Sequence, residues 1–254
     1  MKRIEIYYYL YIPPDMRATQ WTWFLDQQLG IIKRSGLSFV ARTYLIACMP
    51  MHWHSASDDR IFYRNNPPQN ERSISFAEKL REYIAFRFPF VEILDIRDIS
   101  LPNIYEGAAL TPLYEACQER DMHVLYFHSK GSTKSEPSVA NWREVLNYYI
   151  LERWRDHVIA LESGFDVSAM SDQMTYADIV SGNFFWADSK YVRTLLPPSE
   201  GRTYAKKWLV DENVHERYAY EKWIRSNKPK LNFIHNTLVD HYASYYFLEN
   251  ETHV

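Results

Sequence analysis

His123-Val124-Leu125-Tyr126-Phe127-His128-Ser129-Lys130-Gly131 is an apolar, β-forming run that ends abruptly in a small, polar, cation-bearing turn. A run of this kind, bounded by turn residues, reads as a strand buried on both faces of a parallel sheet. In open α/β sheets the ligand sits just beyond the carboxyl ends of such strands. His128, Ser129 and Lys130 are therefore placed to meet a ligand, and the ammonium of Lys130 points to an anionic one. The same residues also fit a plain core strand followed by a solvated lysine, so the surrounding chain has to weigh in.

Upstream of that strand, residues 4–12 cluster β-formers and stop at Pro13-Pro14. Residues 21–35 place Trp21, Phe24, Leu25, Leu29 and Ile32 at helical spacing, with Gly36 to close the helix. Residues 39–49 read as a second strand ending at Pro50, and residues 74–87 as an amphipathic helix with Phe76, Leu80, Tyr83 and Ile84 on one face. A third strand spans 90–96 and leads into Arg97-Asp98; a turn at 103–107 and a helix at 108–120 then feed the central strand. This alternation predicts an α/β fold with a mostly parallel, doubly wound sheet flanked by helices.

Downstream, the polar loop 132–137 precedes a long predicted helix over 139–163, capped by Gly164. A β-like run at 178–186 is interrupted by Ser181-Gly182-Asn183, and a last helix covers 214–226. With no internal repeat and no low-complexity linker, the economical organisation is a single domain over 1–230. An aromatic-rich tail, 231–254, packs on it.

The totals narrow the classes. A net charge of −3 gives no global basic field, which argues against a nucleic-acid partner. The two cysteines, Cys48 and Cys117, form no CxxC pair, which fits a reduced, cytoplasmic protein without a zinc cluster. No segment has the apolar length to span a bilayer. Twenty Tyr and eight Trp against seven Gly suit stacking on sugars or bases, although aromatics fill cores more often.

Several constellations are candidates for chemistry. Lys130, with Lys134, is a point charge suited to phosphate, or else a solvated loop lysine. In Arg97-Asp98 the carboxylate could accept from a ribose or sugar hydroxyl; a structural turn explains the pair equally. Gly182 inside a strand pattern marks close approach of a ligand or backbone, or a bulge. Glu216, Arg217 and Glu221 lie on one helix, with Arg217 under Glu221. A carboxylate so held stays ionised and can accept a hydroxyl proton. The plain alternative is an exposed ion pair worth ~0.3 kcal/mol. His52, His54, Asp58 and Asp59 have metal-ligand chemistry but no visible supporting shell. No GxSxG, HExxH, P-loop or GxGxxG occurs.

Taken in order, residues 103–131, then Asn141-Trp142-Arg143, residues 181–187 and residues 217–224 resemble A-type (GT-A fold) glycosyltransferases of a bacterial and viral group. The similarity runs from the first strand to Ile224 and rests on order and spacing more than on any one motif. It implies a nucleotide-diphosphate sugar donor, a UDP-sugar first among them. The acceptor would be a saccharide or lipid-linked saccharide, as in polysaccharide biosynthesis, which leaves room for peripheral membrane contact. The family's metal-binding Asp-x-Asp is replaced here by His128-Ser129-Lys130. The expectation is that Lys130, with His128, Ser129, Lys134 and Arg143, neutralises the diphosphate, so that manganese or magnesium is tolerated but not required. His235 and His241 are reserve metal ligands. By the same resemblance Asp98 and Asn103 lie near the nucleotide, and Ser181, Gly182, Asn183 and Trp186 line the sugar and acceptor side. Glu221 is the base of an inverting displacement, with Glu216 in reserve. The competing reading is a catalytically inactive sugar-nucleotide or glycan-binding module, or an assembly partner.

Overall fold

Strand β1 (Arg3–Tyr11) sends Ile4, Ile6, Tyr8 and Leu10 into one hydrophobic layer and Tyr7 and Tyr9 into another. Strand β4 (Met122–His128) divides likewise, Leu125 and Phe127 against Val124 and Tyr126. Alternate side chains of a strand leave opposite faces, so a strand covered on both sides is apolar at every position. The stacked rings of Tyr8 and Phe127, 4.5 Å apart, join these two strands on one face.

The computed structural model describes residues 2–13, 20–49, 75–98, 106–130, 132, 137–172, 179–200 and 217–235. Strands β2 (Ala41–Met49), β3 (Val91–Asp98), β5 (Val167–Ala169), β6 (Phe185–Asp188) and β7 (Leu231–Phe233) complete a seven-stranded sheet of order β3-β2-β1-β4-β6-β5-β7. The first four in that order are parallel; β6 is antiparallel to β4 and to β5, and β7 is parallel to β5. The chain winds outward from β1 to β3 and then returns to lay β4 on the other side of β1, so the order reverses between β1 and β4. That is the topological switch point at which open sheets bind ligands. The α/β, mostly parallel, doubly wound architecture matches the expectation.

Helices α1 (Gln20–Arg34) and α2 (Phe76–Arg87) cover one face and α3 (Gly107–Glu119) the other. Ser75 and Glu78 cap α2 reciprocally, side chain to backbone in both directions. The single long helix expected over 139–163 is instead α4 (Pro137–Asn147), a π-helical segment (Tyr148–Glu152) and α5 (Trp154–Glu162). The break has a local cause. The Tyr149 carbonyl accepts from His157 Nε2 at 2.9 Å and the Ile150 carbonyl from Trp186 Nε1 at 3.0 Å. Buried side chains thus take over acceptors that an α-helix would use, and the Arg153 amide donates to Tyr148, five residues back. Gly164 ends α5 in the left-handed region, as its position predicts.

Two further departures bear on the site. The expected strand at 178–186 starts only at Phe185, because Ser181–Asn183 forms a 3-10 turn. The strand expected from Phe39 starts at Ala41, after a 3-10 turn over Leu37–Phe39. Short helices α6 (Ser189–Val192) and α7 (Arg217–Trp223) pack on the α3 side, and the first residues of the aromatic tail form β7. Among the described residues no helix is long and apolar enough to cross a membrane.

Candidate functional site

At the switch point the ends of β1 and β4 are tied together by Ser129. Its amide donates to the Tyr9 carbonyl at 3.0 Å, and its hydroxyl accepts from the Tyr11 amide at 2.9 Å and donates to the Tyr11 carbonyl at 3.1 Å. The one hydroxyl proton is thereby committed. Ser129, assigned to the diphosphate, has its hydroxyl bonded to the backbone of β1 in this structure. Lys130 follows on the half-buried rim.

Behind Lys130 lies a buried cation. Arg143, on α4 and 2% exposed, donates from Nη1 to the Lys130 carbonyl at 2.7 Å and from Nε to Gln27 Oε1 at 2.8 Å. Its guanidinium carbon sits 4.5 Å from the Trp23 ring centre and 4.6 Å from that of Phe24. No carboxylate pairs with it among the described residues, and burial pushes its pKa down to about 10, still well inside the charged range at neutral pH. Gln28, fully buried, donates to the His128 carbonyl and to Asn147 Oδ1, both at 3.1 Å, fixing the backbone just before Lys130.

On the opposite face of β4 the group is acceptor-rich. His128 Nε2 donates to the Gly182 carbonyl at 3.0 Å and stands 3.6 Å from Glu106 Oε1. A carbonyl only accepts, so this nitrogen carries a proton. Asn183 Nδ2 donates to Glu106 Oε2. Glu106 itself immediately precedes α3 and is 5% exposed.

The other expected site residues fall into three groups. Asp98 ends β3 on the same carboxyl edge, with Arg97 turned back to Asp95 at 2.5 Å. Glu221 is buried on α7, not the exposed helical carboxylate of the plain alternative. Its neighbour Tyr220 lies against Gly107, where an added Cβ would stand 2.6 Å from the ring. That contact sets α7 beside the start of α3. His235, after β7, is in contact with Tyr149, the ring centres 5.1 Å apart.

Three residues assigned to the sugar side are engaged inside the protein. Trp186 is fully buried, stacked on His157 at 5.8 Å and bonded to Ile150, so its ring is not available to a sugar. Ser181 is fully buried and shares a 2.6 Å hydrogen bond with Ser171, joining the β6 lead-in to the end of β5. Gly182 packs closely on α4: its φ is 64°, and an added Cβ would lie 2.5 Å from Leu146 Cδ1. Lys134, Asn103, Glu216 and His241 lie outside the described residues, as do His52, His54, Asp58 and Asp59.

Two contributors escaped the sequence reading. Glu106 was absorbed into a turn, and the Gln27-Gln28 pair into a helix. Gln28, a polar residue in line with Phe24, Leu25, Leu29 and Ile32 on the apolar face of α1, is the signal that could have found the latter. At the end of β4 Lys130 brings positive charge and the His128 nitrogen facing the Gly182 carbonyl carries a proton, neither of which offers a lone pair to a divalent cation. Among the described residues no three His, Cys, Asp or Glu side chains cluster closely enough to hold a metal ion.

A family model described as "Domain of unknown function (DUF8361)" matches residues 7–232. No curated protein matches the sequence. Among solved structures, 4-diphosphocytidyl-2C-methyl-D-erythritol synthase from Anaerococcus prevotii is 8% identical, with a TM-score of 0.45 over 92% of this chain and 89% of that one. A putative nucleotide-diphospho-sugar transferase from Desulfovibrio desulfuricans is 8% identical, with a TM-score of 0.41 over 92% of this chain and 80% of that one.

Proposed function

The chain belongs to the family described as a domain of unknown function (DUF8361), and from its own switch point we propose that it is a glycosyltransferase. In this reading it moves a sugar from a nucleoside-diphosphate donor to a hydroxyl of a saccharide or lipid-linked saccharide. The observation that carries the reading is Arg143: a buried guanidinium with no carboxylate partner among the described residues, bonded to the Lys130 carbonyl at the carboxyl end of β4. A buried ion with no carboxylate against it among the described residues costs several kcal/mol, and an anionic ligand at the carboxyl edge offsets it. Lys130 and Arg143 then do what a metal does elsewhere in this fold: they hold the diphosphate and take up negative charge as it departs.

In the displacement the acceptor oxygen forms a bond to the anomeric carbon as the bond from that carbon to the phosphate oxygen breaks. The nucleoside diphosphate leaves with the electron pair, and the acceptor proton passes to a base. Glu221 is the base we assign, with Glu216 in reserve. Support for Glu221 comes from its burial and from the packing of α7 against the start of α3, at the edge that carries Lys130. Attack opposite the leaving group inverts the anomeric centre.

A transfer and donor-hydrolysis assay over UDP-, GDP-, CDP- and dTDP-hexoses tests the proposal, run with EDTA and with manganese. Turnover of one donor that persists in EDTA is expected. Glu221→Gln should lower kcat by about 10²–10⁴-fold with donor affinity retained. Absence of both transfer and hydrolysis for every donor would leave a binding module, and strict manganese dependence would remove the role given to Lys130 and Arg143.

A further inference from the structure

Gln28 on α1 and Asn147 on α4 are 0% and 1% exposed, and their side chains meet at the end of β4. Both amide hydrogens of Gln28 are spent, one on the His128 carbonyl and one on Asn147 Oδ1, each at 3.1 Å. The carbonyl only accepts, so Gln28 must face it with nitrogen, and Asn147 must meet that nitrogen with oxygen. An acceptor, Gln28 Oε1, and a donor, Asn147 Nδ2, are left buried without hydrogen-bond partners among the described residues. Methionine and leucine in the same two places would leave no side-chain atom unmatched. Stability therefore does not account for the pair, and unmatched buried polar atoms call for another explanation.

His128 ends β4, and its carbonyl accepts a second hydrogen bond, from the Lys130 amide at 2.7 Å. Gln28 thus holds the acceptor on which the turn into Lys130 closes. A three-residue turn of this kind, common where a strand ends, is kept in one geometry by an amide anchored in the core. The Lys130 carbonyl is held in its turn by Arg143 Nη1 at 2.7 Å, and Ser129 between them is bonded to β1. Backbone on both sides of Lys130 is therefore fixed from α1 and α4, and the turn sets the direction in which its side chain leaves the rim. Preorganisation of that sort raises affinity by removing an ordering cost at binding.

Resting on the glycosyltransferase reading above, we propose that Gln28 and Asn147 are a positioning pair for Lys130. They touch no substrate. Asn147 orients Gln28, and Gln28 fixes the turn that aims the ammonium at the donor's diphosphate.

Calorimetric titration of the full chain tests this, with whichever of UDP, GDP, CDP and dTDP binds tightest as the probe. The double substitution Gln28→Met with Asn147→Leu removes both side-chain amides. Its urea midpoint should equal or exceed that of wild type, while its affinity for the diphosphate falls about tenfold. Lys130→Met separates positioning from packing. It should weaken binding about tenfold in the wild-type background and less than about threefold in the double variant, where the ammonium is no longer aimed. Gln28→Met alone should weaken binding as the double variant does, with a lower urea midpoint because Asn147 Oδ1 then loses its donor. Two variants are used so that a folding defect in one does not decide the matter. Wild-type affinity in both, or the same cost of Lys130→Met in every background, overturns the inference and leaves the transferase reading standing. A midpoint of the double variant that falls together with its affinity makes the pair structural and overturns the inference as well. Failure of the wild-type chain to bind any of the four diphosphates, or a Lys130→Met chain that binds as wild type does, removes the reading on which the inference stands, and the inference with it.

Discussion

Moving a guanidinium out of water is costly unless a carboxylate or a full set of hydrogen bonds compensates it. Among the described residues Arg143 has Gln27, the Lys130 carbonyl and two aromatic rings in place of a carboxylate. Stability and binding should therefore separate at this residue. In Arg143→Met the side chain keeps its packing on Trp23 and Phe24 and the buried charge disappears. Urea unfolding should give a stability within about 1 kcal/mol of wild type, or above it. Affinity for the nucleoside diphosphate should fall about tenfold or more, because charge-assisted hydrogen bonds are the strong ones. Lost stability with unchanged binding would make Arg143 a structural residue. Ser129 shows the reverse case: a polar residue in the right place by sequence whose hydroxyl is consumed by the backbone of β1.

Elements in this fold are joined where local geometry is least regular. The 3-10 turn before β6 brings the backbone of Gly182 against Leu146 on α4 and turns its carbonyl toward His128. Gly182→Ala meets two obstacles at once, a positive φ and a clash with Leu146 Cδ1. Denaturant unfolding should register a loss of about 2–4 kcal/mol. Adding Leu146→Val should recover only part of it, because the conformational strain remains. A loss below about 1 kcal/mol would mean that the turn relaxes freely. At the opposite side of the sheet β3 is the edge strand among the described residues, and its pairing with β2 shifts register between Leu45 and Ile46, with Leu94 exposed. That irregularity, with Glu92, Asp95 and Arg97 along the strand, guards the edge against pairing with another chain. The sequence shows helices and strands of sufficient length through their periodicity. It does not show β5 and β7, three residues each, nor the π-helical break, whose cause lies in the side chains of His157 and Trp186.

Over the whole molecule, two fully buried histidines tie stability to pH. Burial pushes His157 down to about 3, and it depresses His123 as well, despite Asp188 at 3.5 Å. His157 stays neutral in the fold well below pH 6.5, near which the unfolded chain protonates it, and His123 is shifted in the same direction. The unfolded state thus binds more protons below that pH, and stability present above it falls as the solution is acidified toward the folded values. Urea unfolding between pH 7.5 and 5 should show a contribution to the slope approaching about 1.4 kcal/mol per pH unit from His157 once below pH 6, with His123 adding in the same direction. His157→Gln should flatten it by one histidine's share, and an unaltered slope would mean that His157 is charged in the fold. The sequence by itself determined the doubly wound half of the molecule, because a strand covered on both faces must be apolar at every position, and one helix between strands forces parallel order. It also brought Lys130 to the carboxyl edge. Only the tertiary structure decided that β6 returns antiparallel, that Ser129, Ser181 and Trp186 spend their polar atoms inside the protein, and that Glu106 meets Asn183. The physical reason is that a strand's burial is written in its own residues, whereas the partner of a polar side chain is set by whichever distant segment packs beside it.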